Sequence, residues 1–217
     1  DEATLDVLVA TWAAWSAGAK DVGNQIRAVL GSIDAPTAAQ ARVAARAIHD
    51  RTGRSGGNGS LMRTGPVALA YLGDDRDDQL AAAARAISDL THFDPETGDA
   101  CVLWSLAIRH AIRTGEIDVH RGIRHVPFER RETWLARLDE AERLMPWDFP
   151  QNGWVVHALQ AAWSAIRHAE TLERRLVLAV RCGNDTDTVA AIAGALAGAA
   201  RGASSIPDVW RRELHGW

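Results

Sequence analysis

The chain has 217 residues, 47% of them hydrophobic and 24% charged, with a formal net charge of −4 and a pI near 6.1. That length can bury a sizeable core unaided, and the composition excludes disorder as the organising principle of the chain. With 24 basic against 28 acidic side chains there is no general electrostatic pull toward nucleic acid or an anionic membrane, and no run of about 18 apolar residues offers a membrane span.

The pattern favours helix throughout. Alanine is abundant, tyrosine occurs once and phenylalanine three times, and strict β-branched alternation is scarce. In chain order, residues 4–17 carry Leu5, Leu8, Val9, Trp12 and Trp15 at helical spacing, with Gly18 as a stop. Residues 37–49 follow Pro36 as an alanine-rich helix. Residues 75–91 place Leu80, Ala84 and Ile87 on one face. Residues 99–114 are apolar nearly all round, which marks a central helix. Residues 130–144 turn Leu135 and Leu138 inward. Helices over 153–169, 172–180 and 187–201 complete the set, the last with Gly194, Gly198 and Gly202 spaced for close packing of helix backbones. The stretch 115–128 is the least regular connection. One all-α domain is expected, with Cys101 and Cys182 as buried free thiols, which suits a reducing cytoplasmic setting. The chain opens on Asp1-Glu2 without a secretory signal and without Met, so a processed or truncated product is expected.

Four segments can carry chemistry. Cys182-Gly183-Asn184-Asp185-Thr186-Asp187-Thr188 crowds oxygen donors at a helix start. One acid there caps a helix and complements its dipole. Asp185, Asp187 and Thr188 together exceed that need and suit a hard cation such as Mg²⁺, Mn²⁺ or Ca²⁺. An over-capped helix is the plain alternative. The nucleophile loop of haloacid-dehalogenase-like phosphatases is a further one, although that fold needs a parallel sheet the chain lacks. Ser55-Gly56-Gly57-Asn58-Gly59-Ser60, followed by Leu61-Met62-Arg63, frees the backbone to approach a ligand, and its N–H groups can cradle phosphates. It is neither a Walker loop nor a dinucleotide fingerprint, and a plain surface loop is the alternative. There a Cβ at Gly57 is expected on the ligand side. His92 closes a helix and is either a helix-end residue or a site residue. Asp21, in Lys20-Asp21-Val22-Gly23-Asn24, is either an N-cap or a site acid. Trp147 and Trp154 flank a loop and can wall a ligand site.

Taken in this order, the segments resemble the ADP-ribosylglycohydrolase family, which includes the dinitrogenase reductase-activating glycohydrolase and the ADP-ribosyl-acceptor hydrolases. The resemblance rests on Asp21-Val22-Gly23-Asn24, on residues 57–66, Thr91-His92, Gly153-Trp154-Val155, residues 183–194 and Ile206-Pro207-Asp208-Val209-Trp210. It covers essentially the whole chain.

The resemblance implies a compact single-domain all-α fold of orthogonal-bundle type around a binuclear Mg²⁺ centre, with Mn²⁺ as a substitute. It implies hydrolysis of the glycosidic bond between ADP-ribose and a modified side chain. Asp185, Asp187 and Thr188 match metal ligands, with Asn184 in place of the usual second glycine. Ser55, Gly56, Gly57, Asn58, Gly59, Ser60 and Met62 match the stretch that holds the pyrophosphate and ribose. His92 matches a position beside the ribose, and Asp21 an acidic position implicated in catalysis. The partner is then an ADP-ribosylated protein or small conjugate, with arginine or serine as acceptor. The family's other metal motif, a Thr-Asp-Asp-Thr-like segment, is absent from residues 1–217, which are expected to lack the N-terminal part of the domain. A member that binds ADP-ribose or is structural, without catalysis, is the alternative. In the catalytic reading, a carboxylate-held metal pair grips the ribose hydroxyls and lowers the pKa of a water, while an acid protonates the departing group.

Overall fold

Each segment with helical spacing is a helix in the computed structural model, which describes residues 1–214. Helix α1 spans Glu2–Gly18, α2 Asn24–Leu30, α3 Ala38–Thr52, α4 Gly59–Thr64, α5 Asp77–Asp89, α6 Pro95–Thr114, α7 Phe128–Arg143, α8 Val155–Arg167, α9 Leu172–Val180, α10 Thr186–Arg201 and α11 Asp208–Glu213. Short 3-10 turns at Gly65–Tyr71, His120–His125, Pro146–Asp148 and Ala203–Ser205 fall among them. Among the described residues no strand forms, and an isolated bridge pairs Gly57 with Trp154. The phosphatase reading fails here, because the segment ahead of Asp185 is helix α9 rather than a strand.

The bundle is built around α6. Its N-cap is Asp94, whose carboxylate accepts from the Glu96 N–H at 2.9 Å, and Pro95 presets the first helical φ. The helix therefore begins at Pro95 rather than Asp99. Gly115 closes it at φ +78°, in the left-handed region glycine favours. Its 20 residues give a rod about 30 Å long, and every residue from Thr97 to Arg109 is buried. Helices α5, α8 and α10 pack against it, and the core they share runs from Leu61 to Ala197.

A charge sits in that core. The fully buried Asp99 accepts from Arg85 Nη2 at 2.7 Å, Arg130 Nε at 2.6 Å, Arg130 Nη2 at 3.1 Å and Trp134 Nε1 at 3.1 Å. Burial pushes its carboxyl up, but hydrogen bonds and charge from Arg130 and Arg85 outweigh burial and hold it below the ordinary value. Gly98 makes room for this: a Cβ there would lie 2.6 Å from Arg85 Nη1.

Helices α1–α3 carry a smaller core of their own, with Val9, Val29, Ala38, Ala41, Ala45 and Ile48 around Leu90. It joins the main body beside Thr91: Gln25 Nε2 donates to the Thr91 carbonyl at 2.9 Å, and the Arg63 guanidinium lies 4.5 Å from the Trp12 ring centre. Both cysteines are buried and unpaired, and burial pushes both thiols up. Of the three spaced glycines, Gly194 alone meets a packing neighbour, with Leu176 Cδ2 3.2 Å from where its Cβ would stand. Gly202 instead closes α10 at φ +73°. Among the described residues no helix is long and apolar enough to cross a membrane.

Candidate active site where three loops meet

Three loops converge at the starts of α4, α8 and α10. The glycine loop and the loop before α8 exchange two backbone hydrogen bonds: Val155 N–H to the Gly56 carbonyl at 2.9 Å and Asn58 N–H to the Gly153 carbonyl at 3.1 Å. The Asn58 amide then donates from Nδ2 to the Asn152 carbonyl and to Asp185 Oδ2, both at 2.7 Å. The fully buried Asn152 accepts from the Asp185 N–H at 3.0 Å and donates to the Gly183 carbonyl at 2.8 Å. Asn184, at φ +56°, donates to the Pro150 carbonyl at 2.9 Å. Asn58 and Asn152 thus latch the glycine loop to the acidic helix start, although Asn58 and Asp185 stand 127 residues apart in sequence.

Asp185 is the N-cap residue of α10, yet its side chain makes no capping hydrogen bond. Its carboxylate is held by Asn58 instead, so the over-capped-helix reading does not hold. Asp187 is exposed in the first turn and Thr188 is buried beside it. Among the described residues, no group of three or more His, Cys, Asp and Glu side chains is placed to hold a metal. Two carboxylates and one hydroxyl suit a hard divalent cation as part of a shell of about six oxygens, with water or ligand oxygens supplying the rest. The donor set fits Mg²⁺ on that basis.

The glycine loop is organised differently from the expectation. Its second half, Gly59 and Ser60, is the first turn of α4. Ser55 Oγ lies 2.6 Å from His49 Nδ1, and the buried Ser60 Oγ accepts from Cys101 Sγ at 3.6 Å. Both hydroxyls therefore anchor the loop to the protein. Met62 is exposed, and Gly56, Gly57 and Gly59 leave their backbone half-exposed.

None of these three glycines has a positive φ; at Gly56 it is close approach that favours glycine. A Cβ on Gly56 would lie 3.2 Å from Trp154 Cδ1, and one on Gly57 3.4 Å from His92 Nε2. The Gly57 Cβ direction thus points to the protein side rather than the ligand side.

His92 lies under this loop, 2% exposed. Arg63 Nη2 donates to Thr91 Oγ1 at 2.5 Å, and Thr91 Oγ1 lies 2.8 Å from His92 Nδ1. The Thr91 hydroxyl therefore links the Arg63 guanidinium to the imidazole. Burial, and then the Arg63 charge, push His92 well below its ordinary value of 6.5, and burial lowers Arg63 to about 10. Asp21 is exposed between α1 and α2. Gly23, not Asp21, caps α2, so the N-cap reading fails. Trp154 joins the site through Gly56 and donates from Nε1 to Glu96 Oε2 at 3.1 Å. Trp147 is exposed on its 3-10 turn.

Asn152 is the site residue the sequence did not reveal. It neighbours the Gly153-Trp154-Val155 stretch, but a lone asparagine between Gln151 and Gly153 reads as loop polarity. Only tertiary contact shows that it is buried.

The model of the ADP-ribosylglycohydrolase family matches residues 1–217. The chain belongs to that family. The ADP-ribosyl-dinitrogen reductase glycohydrolase of Rhodospirillum rubrum is 30% identical over 167 residues, 73% of this chain and 50% of that protein. ADP-ribosylhydrolase ARH3 of Mus musculus is 25% identical over 200 residues, 74% of this chain and 53% of its own length. ADP-ribosylarginine hydrolase Tri1 of Pseudomonas putida is 28% identical over 159 residues, 71% of this chain and 41% of its own. A solved structure described as an ADP-ribosylglycohydrolase-related protein complex superposes with a TM-score of 0.66 at 26% identity, covering 97% of this chain and 68% of that one. The chain spans about half the length of the curated relatives it matches.

In this ADP-ribosylglycohydrolase-family chain the neutral His92 has a measurable signature. Its folded value is depressed, so the unfolded chain binds the proton first as pH falls below 6.5. Its contribution is intact above that value and erodes by up to about 1.4 kcal/mol per pH unit below it. Thermal melts from about pH 7 to about pH 5 should fall more steeply for the wild type than for His92→Asn. His125 and His157, also lowered by burial, contribute equally to both proteins. Parallel profiles would contradict this placement of His92.

Proposed function

We propose that this chain carries an ADP-ribose site of a Mg²⁺-dependent hydrolase, with Mn²⁺ as a substitute. The reaction is cleavage of the glycosidic bond between ADP-ribose and a modified protein side chain, and the partner is an ADP-ribosylated protein or small conjugate. The buried unpaired thiols suit a reducing cytoplasm. The observation that carries the reading is the Asn58–Asn152–Asp185 latch. It sets a phosphate-compatible glycine backbone beside hard-cation oxygens, as a ribose joined to a diphosphate requires. Family membership and the names of the relatives support the same reading.

The residues divide the work. The half-exposed backbone of Gly56, Gly57 and Gly59 faces the diphosphate, with Met62 at its edge. Ser55 and Ser60 anchor that backbone, and His92, neutral and buried, supports it from beneath as a positioning residue. Asp185, Asp187 and Thr188 would hold the cation, and Asn58 fixes the Asp185 carboxylate. The cation, when bound, supplies Lewis-acid chemistry and lowers the pKa of a water. Asp21, exposed to solvent, gives a proton to the departing nitrogen or oxygen as its bond to the ribose breaks, and the attacking water, whose oxygen takes that place, gives up one proton in turn.

The test is release of ADP-ribose, with Mg²⁺, from a protein modified on arginine and from one modified on serine. Release above the buffer rate from either one is expected once a segment carrying a Thr-Asp-Asp-Thr-like motif is supplied in cis or in trans, and it should be lost in Asp185→Ala. ADP-ribose binding without release in the presence of that segment would favour the non-catalytic alternative.

A further inference from the structure

Helices α6, α8 and α10 start at or next to the three-loop site and end about 20–30 Å away. A cavity of about 270 Å³ opens at that far end, lined by Trp163, Arg167, Arg175, Ala200 and Arg201, with Glu116 among its walls. Arg175 is 9% exposed and Trp163 3%. Arg175 Nε donates to the Ala169 carbonyl at 2.9 Å, but its Nη1 is buried with no partner, and so is Trp163 Nε1.

The exposed Arg167 lies over the Trp163 indole at 5.6 Å, and its single carboxylate neighbour is Glu142 at 3.7 Å. Among the described residues, no ion pair forms at Arg175 or Arg201. Burial lowers the Arg175 pKa, and the charges of Arg201 and Arg167 lower it further.

Carbonyls at the helix ends account for Arg175 Nε and not for Nη1. A buried water could satisfy one orphaned donor, but it would leave Arg175 and Arg201 without an ion pair beside Arg167, whose partner is Glu142. An oxyanion answers both needs, because guanidinium forks match phosphate oxygens and charge-assisted bonds are the strong ones. The cavity is smaller than the roughly 300–1,000 Å³ of drug-sized ligand sites, which selects a compact anion over a dinucleotide.

We infer that Arg167, Arg175 and Arg201, with the Trp163 indole N–H, form a second site for a small phosphate-type oxyanion at the end of the bundle remote from the ADP-ribose site. The exposed Arg167 side chain is the part that moves aside to admit it.

The probe is inorganic phosphate, read by the indole N–H resonance of Trp163 in the whole chain and assigned by its loss in Trp163→Phe. A saturable shift below about 20 mM phosphate is expected, together with an apparent Kd raised about fivefold or more in Arg201→Gln and in Arg167→Gln. Both are exposed side chains, so these variants fold where Arg175→Gln could fail. Sodium chloride at equal ionic strength should leave the resonance in place, and so should ADP-ribose. No shift with phosphate, a shift equalled by chloride, a Kd unchanged in both variants, or a shift with ADP-ribose alone would each overturn the assignment.

Discussion

Asn152→Ala is expected to weaken ADP-ribose binding by about a hundredfold, a loss near 2.7 kcal/mol. The side chain touches no ligand in this reading; it acts through Asp185 and Gly183. Without it the Asp185 N–H and the Gly183 carbonyl lose the partners they hold at 3.0 and 2.8 Å. An orphaned buried polar group costs about 1–3 kcal/mol, and the two loops relax to satisfy theirs by moving. Asn58→Ala should act in the same direction, because Asn58 Nδ2 bridges the Asn152 carbonyl and Asp185. Calorimetry with ADP-ribose checks this, and an affinity within about twofold of wild type in a folded Asn152→Ala protein would refute the latch.

Asp99→Ala should remove about 3–5 kcal/mol of stability, and for a chain of this size lower the melting temperature on the order of 10 °C. The cause is what it leaves behind: two guanidiniums and an indole N–H that now converge on nothing. The pH dependence has a definite sign. The folded carboxyl is held below its ordinary 3.8, so its contribution is complete above that value and lost as pH falls through the lower folded one. Acid melts of wild type and variant should therefore converge only at the acid extreme. A melting temperature unchanged at neutral pH would show that the cluster is not a structural hub.

What the sequence revealed follows from where its signals are local. Periodicity alone places α9 at Leu172–Val180 and α10 within a residue of its start, because apolar spacing is written into consecutive residues. The start of α6 is displaced, since Asp94 and Pro95 look like the close of the preceding helix until the Asp94 cap is seen. Short α2 and α4 carry too few turns for a pattern. At the site, Asp185, Asp187 and Thr188 are visible as a crowded set of donors. The inward roles of Ser55 and Ser60, the burial of His92 and the whole contribution of Asn152 depend on contacts across 41 residues or between separate loops. Asp99 hides for the same reason: its partners lie on α5 and α7, and a lone acid in an apolar helix gives no sign of them.

One titration reaches the ADP-ribose site most directly: ADP-ribose into this chain with Mg²⁺, into the same chain with the metal chelated, and into Asp187→Ala with Mg²⁺. Saturable binding is expected in the first case and a loss of about tenfold or more, roughly 1.4 kcal/mol, in the other two. The exposed Asp187 has no packing role, so its variant should melt with the wild type. Equal heats and equal affinity in all three titrations would contradict a metal-assisted ADP-ribose site at the start of α10.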